Sequence, residues 1–389
     1  MRGDSLAADI QTYAGREQTQ AKHFILRKYL QALAFKVLRH WDVTYVDGFS
    51  GPWKAEREDY GDTSFMIAIS VLKDAQEQIR QQTGHQRRIR CFFSENDPEA
   101  YAQLETAVQP HHRPTEGFEI ETFRGKFEDA VPSIQSFIGK SFPLIFIDPT
   151  GWTGYPFSKI APLFQREKCE VLINFMYAFV SRFLNHPDEK IISSLDPILG
   201  GPDWQSRLEA GMEPGLAVEN LFRSTLQKAG SFDYVVSTRI DKSTDDRPHF
   251  FLAYATKDRA GLKAFRDIEH VALREHARNR SIAKERKRED RTGSASLFSD
   301  FEADVQEASI ETVVAEQKLM AKSHLIHLLK AGPMRFAQVS DVLLQAFMLR
   351  ETNVKDICVE MSRSKTIANT WGSGVRKPQA KTVIQLIAE

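Results

Sequence analysis

The chain has 389 residues, 42% of them hydrophobic and 27% charged, a composition that suits two or three globular domains. Its 52 basic and 52 acidic residues cancel, which excludes a global electrostatic pull toward nucleic acid or anionic lipid, so any basic binding face must be local. No apolar run reaches the length of a membrane span, the first residues (MRGDSLAADIQTYAG) lack the apolar core of a signal peptide, and Cys91, Cys169 and Cys358 form neither a CxxC pair nor a zinc spacing, which together point to a cytoplasmic protein with reduced thiols.

The first helix signal is KHFILRKYLQALAFKVLRH, residues 22 to 40. There Ile25, Tyr29, Leu33 and Val37 recur every fourth residue, and Leu26, Leu30 and Leu38 widen the apolar face. VTYVDGF (43–49) reads as a strand entering a glycine turn, and 64–79 as an amphipathic helix. A strand over 88–93 leads to a helix opening at Asp97-Pro98, a cap followed by proline at the first helical position. FEIETF (118–123), LIFID (144–148) and EVLINFM (170–176) are further strands, with helices over 127–138 and 157–165 between them. Strand and helix alternate for about 180 residues, and several strands are apolar throughout. That pattern predicts an α/β fold: a parallel, doubly wound Rossmann-like sheet covered by helices on both faces. DYVVSTRI (233–240) and HFFLAYATKD (249–258) read as an antiparallel hairpin at the sheet edge, followed by a helix over 261–273.

Composition then shifts. Residues 274–291 hold eight basic and four acidic residues, and 289–311 hold seven acidic and one basic. GSASLFSDFEAD shows no period, so 276–316 reads as a charged linker. From 317 to 389 the order helix, helix, helix, hairpin is that of a winged helix-turn-helix domain. Lys284 to Arg288, together with Arg363, Lys365, Arg376, Lys377 and Lys381, are its candidate phosphate contacts, although charge runs are as often solvated helix faces and winged helices also bind proteins.

In a doubly wound sheet the ligand lies beyond the carboxyl ends of the strands, and here those ends carry acids. The first ends in Asp47-Gly48-Phe49-Ser50-Gly51, which lacks a pyrophosphate loop's glycine spacing and suits a ligand with an amine and a carboxylate. The second ends at Glu95, placed to accept both hydroxyls of a ribose. The third is followed by Phe127, Glu128 and Asp129, which suit an adenine ring and its amino group and equally suit the positive end of a helix dipole. The fourth ends in Asp148-Pro149-Thr150-Gly151-Trp152. A carboxylate and a turn carbonyl can there accept the two hydrogens of an exocyclic base amine, with Trp152 or Tyr155 stacked on a flipped base. Each of these is also readable as a plain turn or cap. Four in succession make the pattern of a class I S-adenosylmethionine (SAM) methyltransferase. Asn174, Phe175 and Tyr177, at the end of the fifth strand, border the same region or simply continue into a buried helix.

KHFILRKYL, YVDGFSGPW, SENDPEA, DPTGWTGYPF, EVLINFMYAFVSRFL and GGPDW, in that order, resemble the bacterial three-Cys-motif partner protein family (TcmP) over roughly residues 20 to 275. The resemblance implies a SAM-dependent methyltransferase domain over 1–275, with motifs related to those of enzymes that methylate adenine in DNA or RNA. It also implies a separately encoded partner that carries three cysteines, in a phage- or defence-related setting. It further implies Lys22 and His23 beside the SAM carboxylate, Asp47, Gly48, Phe49 and Gly51 along the methionine end, Glu95 on the ribose, and Asp148, Pro149 and Trp152 in the catalytic turn. The chain departs from the base-amine pattern of Asp/Asn-Pro-Pro-aromatic: Thr150 replaces the second proline, and Gly151 displaces Trp152 by one place. That departure leaves room for a non-catalytic alternative, a nucleic-acid-binding or scaffold protein that docks the cysteine-motif partner.

Overall fold

The computed structural model describes residues 12–52, 55–184, 186–293, 299–372 and 374–387. The chain divides into two compact units, Met1–Asp258 and Arg259–Glu389.

The first unit is built on a sheet of seven strands: β1 (Val43–Asp47), β2 (Ile89–Glu95), β3 (Phe118–Arg124), β4 (Phe142–Ile147), β5 (Glu170–Phe175), β6 (Tyr234–Asp241) and β7 (Pro248–Thr256). Their spatial order is β3-β2-β1-β4-β5-β7-β6. The first five strands are mutually parallel, and β7 runs antiparallel to both β5 and β6. The helices between them are α1 (Glu17–Val37), α2 (Ser64–Thr83), α3 (Pro98–Val108), α4 (Val131–Ile138), α5 (Phe157–Phe164), α6 (Tyr177–Phe183), α7 (Glu189–Ser193), α8 (Asp196–Leu199) and α9 (Pro214–Gly230).

Burial explains the sequence patterns. β1 and β5, in the middle of the sheet, are buried at every position, whereas β3 and β6 at its edges mix buried with partly exposed residues. Local signals set the helix ends. The Asp97 carboxylate accepts from the backbone N–H of Glu99 and Ala100 with Pro98 in the first turn, and Thr63 caps α2, which Gly84 ends in the left-handed region (φ 69°). The antiparallel hairpin expected near 233–258 is β6–β7, with β7 inside the sheet and only β6 at its edge.

The second unit corrects the linker expectation. A helix, α10 (Arg259–Thr292), runs through the basic stretch, and α11 (Ser299–Leu329) runs through most of the acidic one; residues 294–298 of the expected linker lie outside the described residues. The ion pairs Arg274–Glu307 (2.8 Å) and Arg278–Asp304 (2.9 Å) and the His270–Glu311 contact (3.1 Å) have falling partner numbers, so the two helices form an antiparallel hairpin. The periodicity was hidden because half of the α10 seam is polar: Phe265, Glu269, Ala272, His276, Asn279 and Ala283 are buried at alternating three- and four-residue spacing. Glu269 is satisfied there by Arg266 at 2.6 Å. Beyond α11 lie β8 (Met334–Arg335), α12 (Phe336–Ala346), α13 (Glu351–Arg363) and β9 (Val383–Ile384); β8 pairs antiparallel with β9, and Ile367 bridges Leu386. Among the described residues no helix is long and apolar enough to cross a membrane. The three cysteines are free and buried.

Candidate functional site

The chain leaves β1 toward β2 and β3 on one side and returns to β4 on the other, so the strand order switches between β1 and β4. A cavity of about 880 Å³ opens at the carboxyl ends of these strands. It is lined by Gly48 and Phe49 after β1, Glu95 to Pro98 after β2, Gly125 to Glu128 after β3, and Asp148 to Gly154 after β4. Ser194, Pro197 and Ile198, from the α7–α8 segment, complete the wall. Sequence reasoning missed those three because no spacing ties SSLDPIL to the sheet.

Of the residues singled out by the sequence, Gly48, Phe49, Glu95, Glu128, Asp148, Pro149 and Trp152 line this cavity; Lys22, His23, Asp47 and Gly51 do not. Asp47 is fully buried at the end of β1. Its Oδ1 accepts the Phe49 N–H (3.1 Å), and the Tyr45 hydroxyl lies 3.3 Å from its Oδ2. Burial pushes its carboxyl up to about 6 against the lowering effect of hydrogen bonds from Ser64 and Phe49, and the Asp148 charge adds to the rise. Gly48 is required by contact: a Cβ there would lie 2.9 Å from the Phe127 ring, which sits 5.9 Å from the Phe49 ring, centroid to centroid. The Glu95 Oε1 accepts the Asp97 N–H at 2.7 Å, which fixes its carboxylate at the mouth of β2. Glu128 pairs with Lys159 at 2.8 Å.

Asp148 differs from Asp47 in having its charge compensated. Lys22 Nζ, from α1, meets its Oδ2 at 2.5 Å, and Asn174 Nδ2, from the end of β5, donates to its Oδ1 at 2.7 Å. The Lys22 ammonium also lies 5.7 Å from the centre of the Phe250 ring. His23 turns the other way, with Nδ1 2.9 Å from the Tyr13 hydroxyl. Burial holds its pKa well below the usual imidazole value, helped by the charges of Lys22, Arg27 and Arg16.

Trp152 is half-buried, and its indole N–H donates to Ser194 Oγ at 2.8 Å. Tyr155 corrects the alternative stacking assignment: it is wholly buried in the core beside Phe157 and presents no face to the cavity. Phe175 likewise belongs to the core, stacked 4.3 Å from Phe222, and Tyr177 opens α6.

A second buried acid lies at the opposite end of the sheet. Glu170, the first residue of β5, accepts from Tyr29 (2.6 Å) and Thr256 (3.2 Å), and Tyr29 in turn bonds Tyr254. Burial raises its carboxyl to about 7 in spite of these hydrogen bonds. No motif announces it, because its partners come from positions 29, 254 and 256.

No protein-family model matches the chain, and no curated protein matches it.

Proposed function

We propose that this chain is a SAM-dependent methyltransferase acting on an exocyclic base amine, adenine being the best fit, in DNA or RNA. The observation that carries the reading is the convergence of four parallel strand ends, bearing Gly48–Phe49, Glu95, Phe127–Glu128 and Asp148–Trp152, on one cavity at the switch in strand order. The sheet order, with an antiparallel strand slotted between the fifth and sixth, supports a class I methyltransferase sheet. The motif resemblance to the TcmP family points the same way.

The residues present fit that cofactor. Asp47, buried next to the cavity-lining Gly48, has no cationic partner among the described residues, so its charge would favour a cation held in the cavity through the local field rather than by contact. A carboxylate has about four lone-pair sites, and Glu95, at the cavity wall with its Oε1 on the Asp97 N–H, is the group placed to meet ribose hydroxyls. Phe49 and Phe127 offer apolar faces for an adenine. When bound, SAM supplies an electrophilic methyl group. The chain's own contribution is positioning: Asp148, held by Lys22 and Asn174, accepts an amine N–H, and Trp152, held by Ser194, bounds the acceptor side.

A second reading has its own observation. Both acceptor-side groups are already engaged, Asp148 by Lys22 and Trp152 by Ser194, as suits a non-catalytic protein that binds nucleic acid or a three-cysteine-motif partner. The helix–strand–helix–helix–strand order of residues 299–387, with Ile367 bridged to Leu386, supports a winged helix in either case. Calorimetric titration with SAM separates the readings. The enzyme reading expects micromolar binding that Asp47→Ala and Glu95→Ala each abolish, and radiolabelled methyl transfer to DNA or RNA that Asp148→Ala removes. Absence of SAM binding to the wild-type protein refutes it.

A further inference from the structure

The α11 helix carries two apolar seams. One, with Ala303, Val314, Ala321 and Leu325 buried and Ile310 half-buried, faces into the unit. The other sets the large apolar residues Phe301, Val305 and Leu319 in line with the small residues Ala308, Thr312 and Ala315, and every one of these is exposed. Their spacing alternates four and three without a break, which is the a/d repeat of a coiled coil. At about 100° per residue this second stripe lies on the far side of the helix from the first and runs for about 27 Å. Phe301 is 68% and Leu319 64% exposed. Outward positions of a surface helix are ordinarily polar, so a continuous outward heptad seam needs a partner helix to bury it.

Charge selects the partner. The positions flanking the seam hold Glu302 and Glu316, together with Asp304 and Glu311, which already meet Arg278 and His270 of α10, and no Lys or Arg occurs between 299 and 317. The next basic residues, Lys318 and Lys322, are taken up within the unit by Glu360 at 2.9 and 2.6 Å. Pairing with a second copy, parallel or antiparallel, would set acid against acid along the flanks. We infer that the outer face of α11 docks a basic helix of another polypeptide, one with an apolar heptad seam flanked by Lys or Arg.

The test uses the full chain and two labelled three-heptad peptides, both with Leu at a and d, one with Lys and the other with Glu at e and g. Fluorescence anisotropy is expected to show binding of the lysine peptide at least about tenfold tighter than that of the glutamate peptide, a difference of about 1.4 kcal/mol. Val305→Glu with Leu319→Glu should abolish the binding; both side chains are on the surface, so folding is not at stake. Glu302→Lys with Glu316→Lys should turn the preference toward the glutamate peptide. Equal binding of the two peptides, or binding of neither, overturns the inference. So does a dimer of the chain alone in sedimentation that Val305→Glu and Leu319→Glu dissolve, because the occupant is then a second copy.

Discussion

Replacing Asp47 by asparagine should stabilise the protein at neutral pH while weakening its ligand site. The wild-type carboxyl is raised from 3.8 to about 6 by burial. The folded state therefore holds the proton more tightly than the unfolded chain. That contribution is fully present below about 3.8 and is lost as the pH rises through about 6. A rise of roughly two units corresponds to about 3 kcal/mol of cost for keeping the ionised group in place at pH 8, and about half of that at pH 5. The asparagine side chain would carry no charge at any pH and can still accept the Phe49 N–H. Asp47→Asn should thus gain up to about 3 kcal/mol at pH 8 and roughly half as much at pH 5. Urea denaturation followed by tryptophan fluorescence reads the relevant unit, since Trp41, Trp152 and Trp204 belong to it. A stability difference that does not change between pH 5 and pH 8 would refute the argument, because it would mean that Asp47 does not titrate in this range. The same variant should lose SAM affinity in calorimetry.

Gly48→Ala places a methyl 2.9 Å from the Phe127 ring and should cost about 1–3 kcal/mol in the same denaturation assay, with a matching loss of SAM affinity as the ring is displaced from the cavity. Glu170→Ala removes the carboxylate that accepts from Tyr29 and Thr256 in the core and should cost about 1–3 kcal/mol, lowering the melting temperature while leaving ligand affinity intact in the folded protein. Ser194→Ala removes the acceptor that orients the Trp152 indole; the expected result is a several-fold higher KM for the nucleic-acid acceptor with SAM affinity unchanged, and an unchanged KM would show that the indole is held by packing alone.

Much of the first unit was legible in the sequence because its information is local. The apolar runs ending in Asp47, Glu95 and Asp148 are the central strands of the sheet, and Asp97-Pro98 is a helix cap, all set by residues within a few positions of one another. What was not legible depends on distant pairings. Nothing in KHFILRKYL shows that Lys22 crosses to Asp148, 126 residues away, or that Ser194 reaches back to Trp152. The α10–α11 hairpin escaped for a different reason. Its α10 seam uses Glu269, His276 and Asn279 where a periodicity search looks for Leu and Ile, and α11 is apolar on two sides, so no single face stands out.

Asp47 and Asp148 stand at neighbouring strand ends, but only Asp148 lines the cavity, while Asp47 is buried beside the lining Gly48. They sit at the ends of β1 and β4, the pair of strands that flank the switch, yet among the described residues no cation pairs with Asp47 whereas Asp148 is given Lys22. A buried carboxylate held by hydrogen bonds alone costs stability, and perturbed carboxylates of this kind cluster at ligand sites. Asp148, by contrast, is neutralised from behind by an ammonium and steadied by an amide, which fixes its orientation without using all its lone pairs. The first arrangement suits binding a cation and the second suits orienting a neutral N–H group. On the proposed methyltransferase reading, a cationic methyl donor would gain from the first and an uncharged amine acceptor from the second.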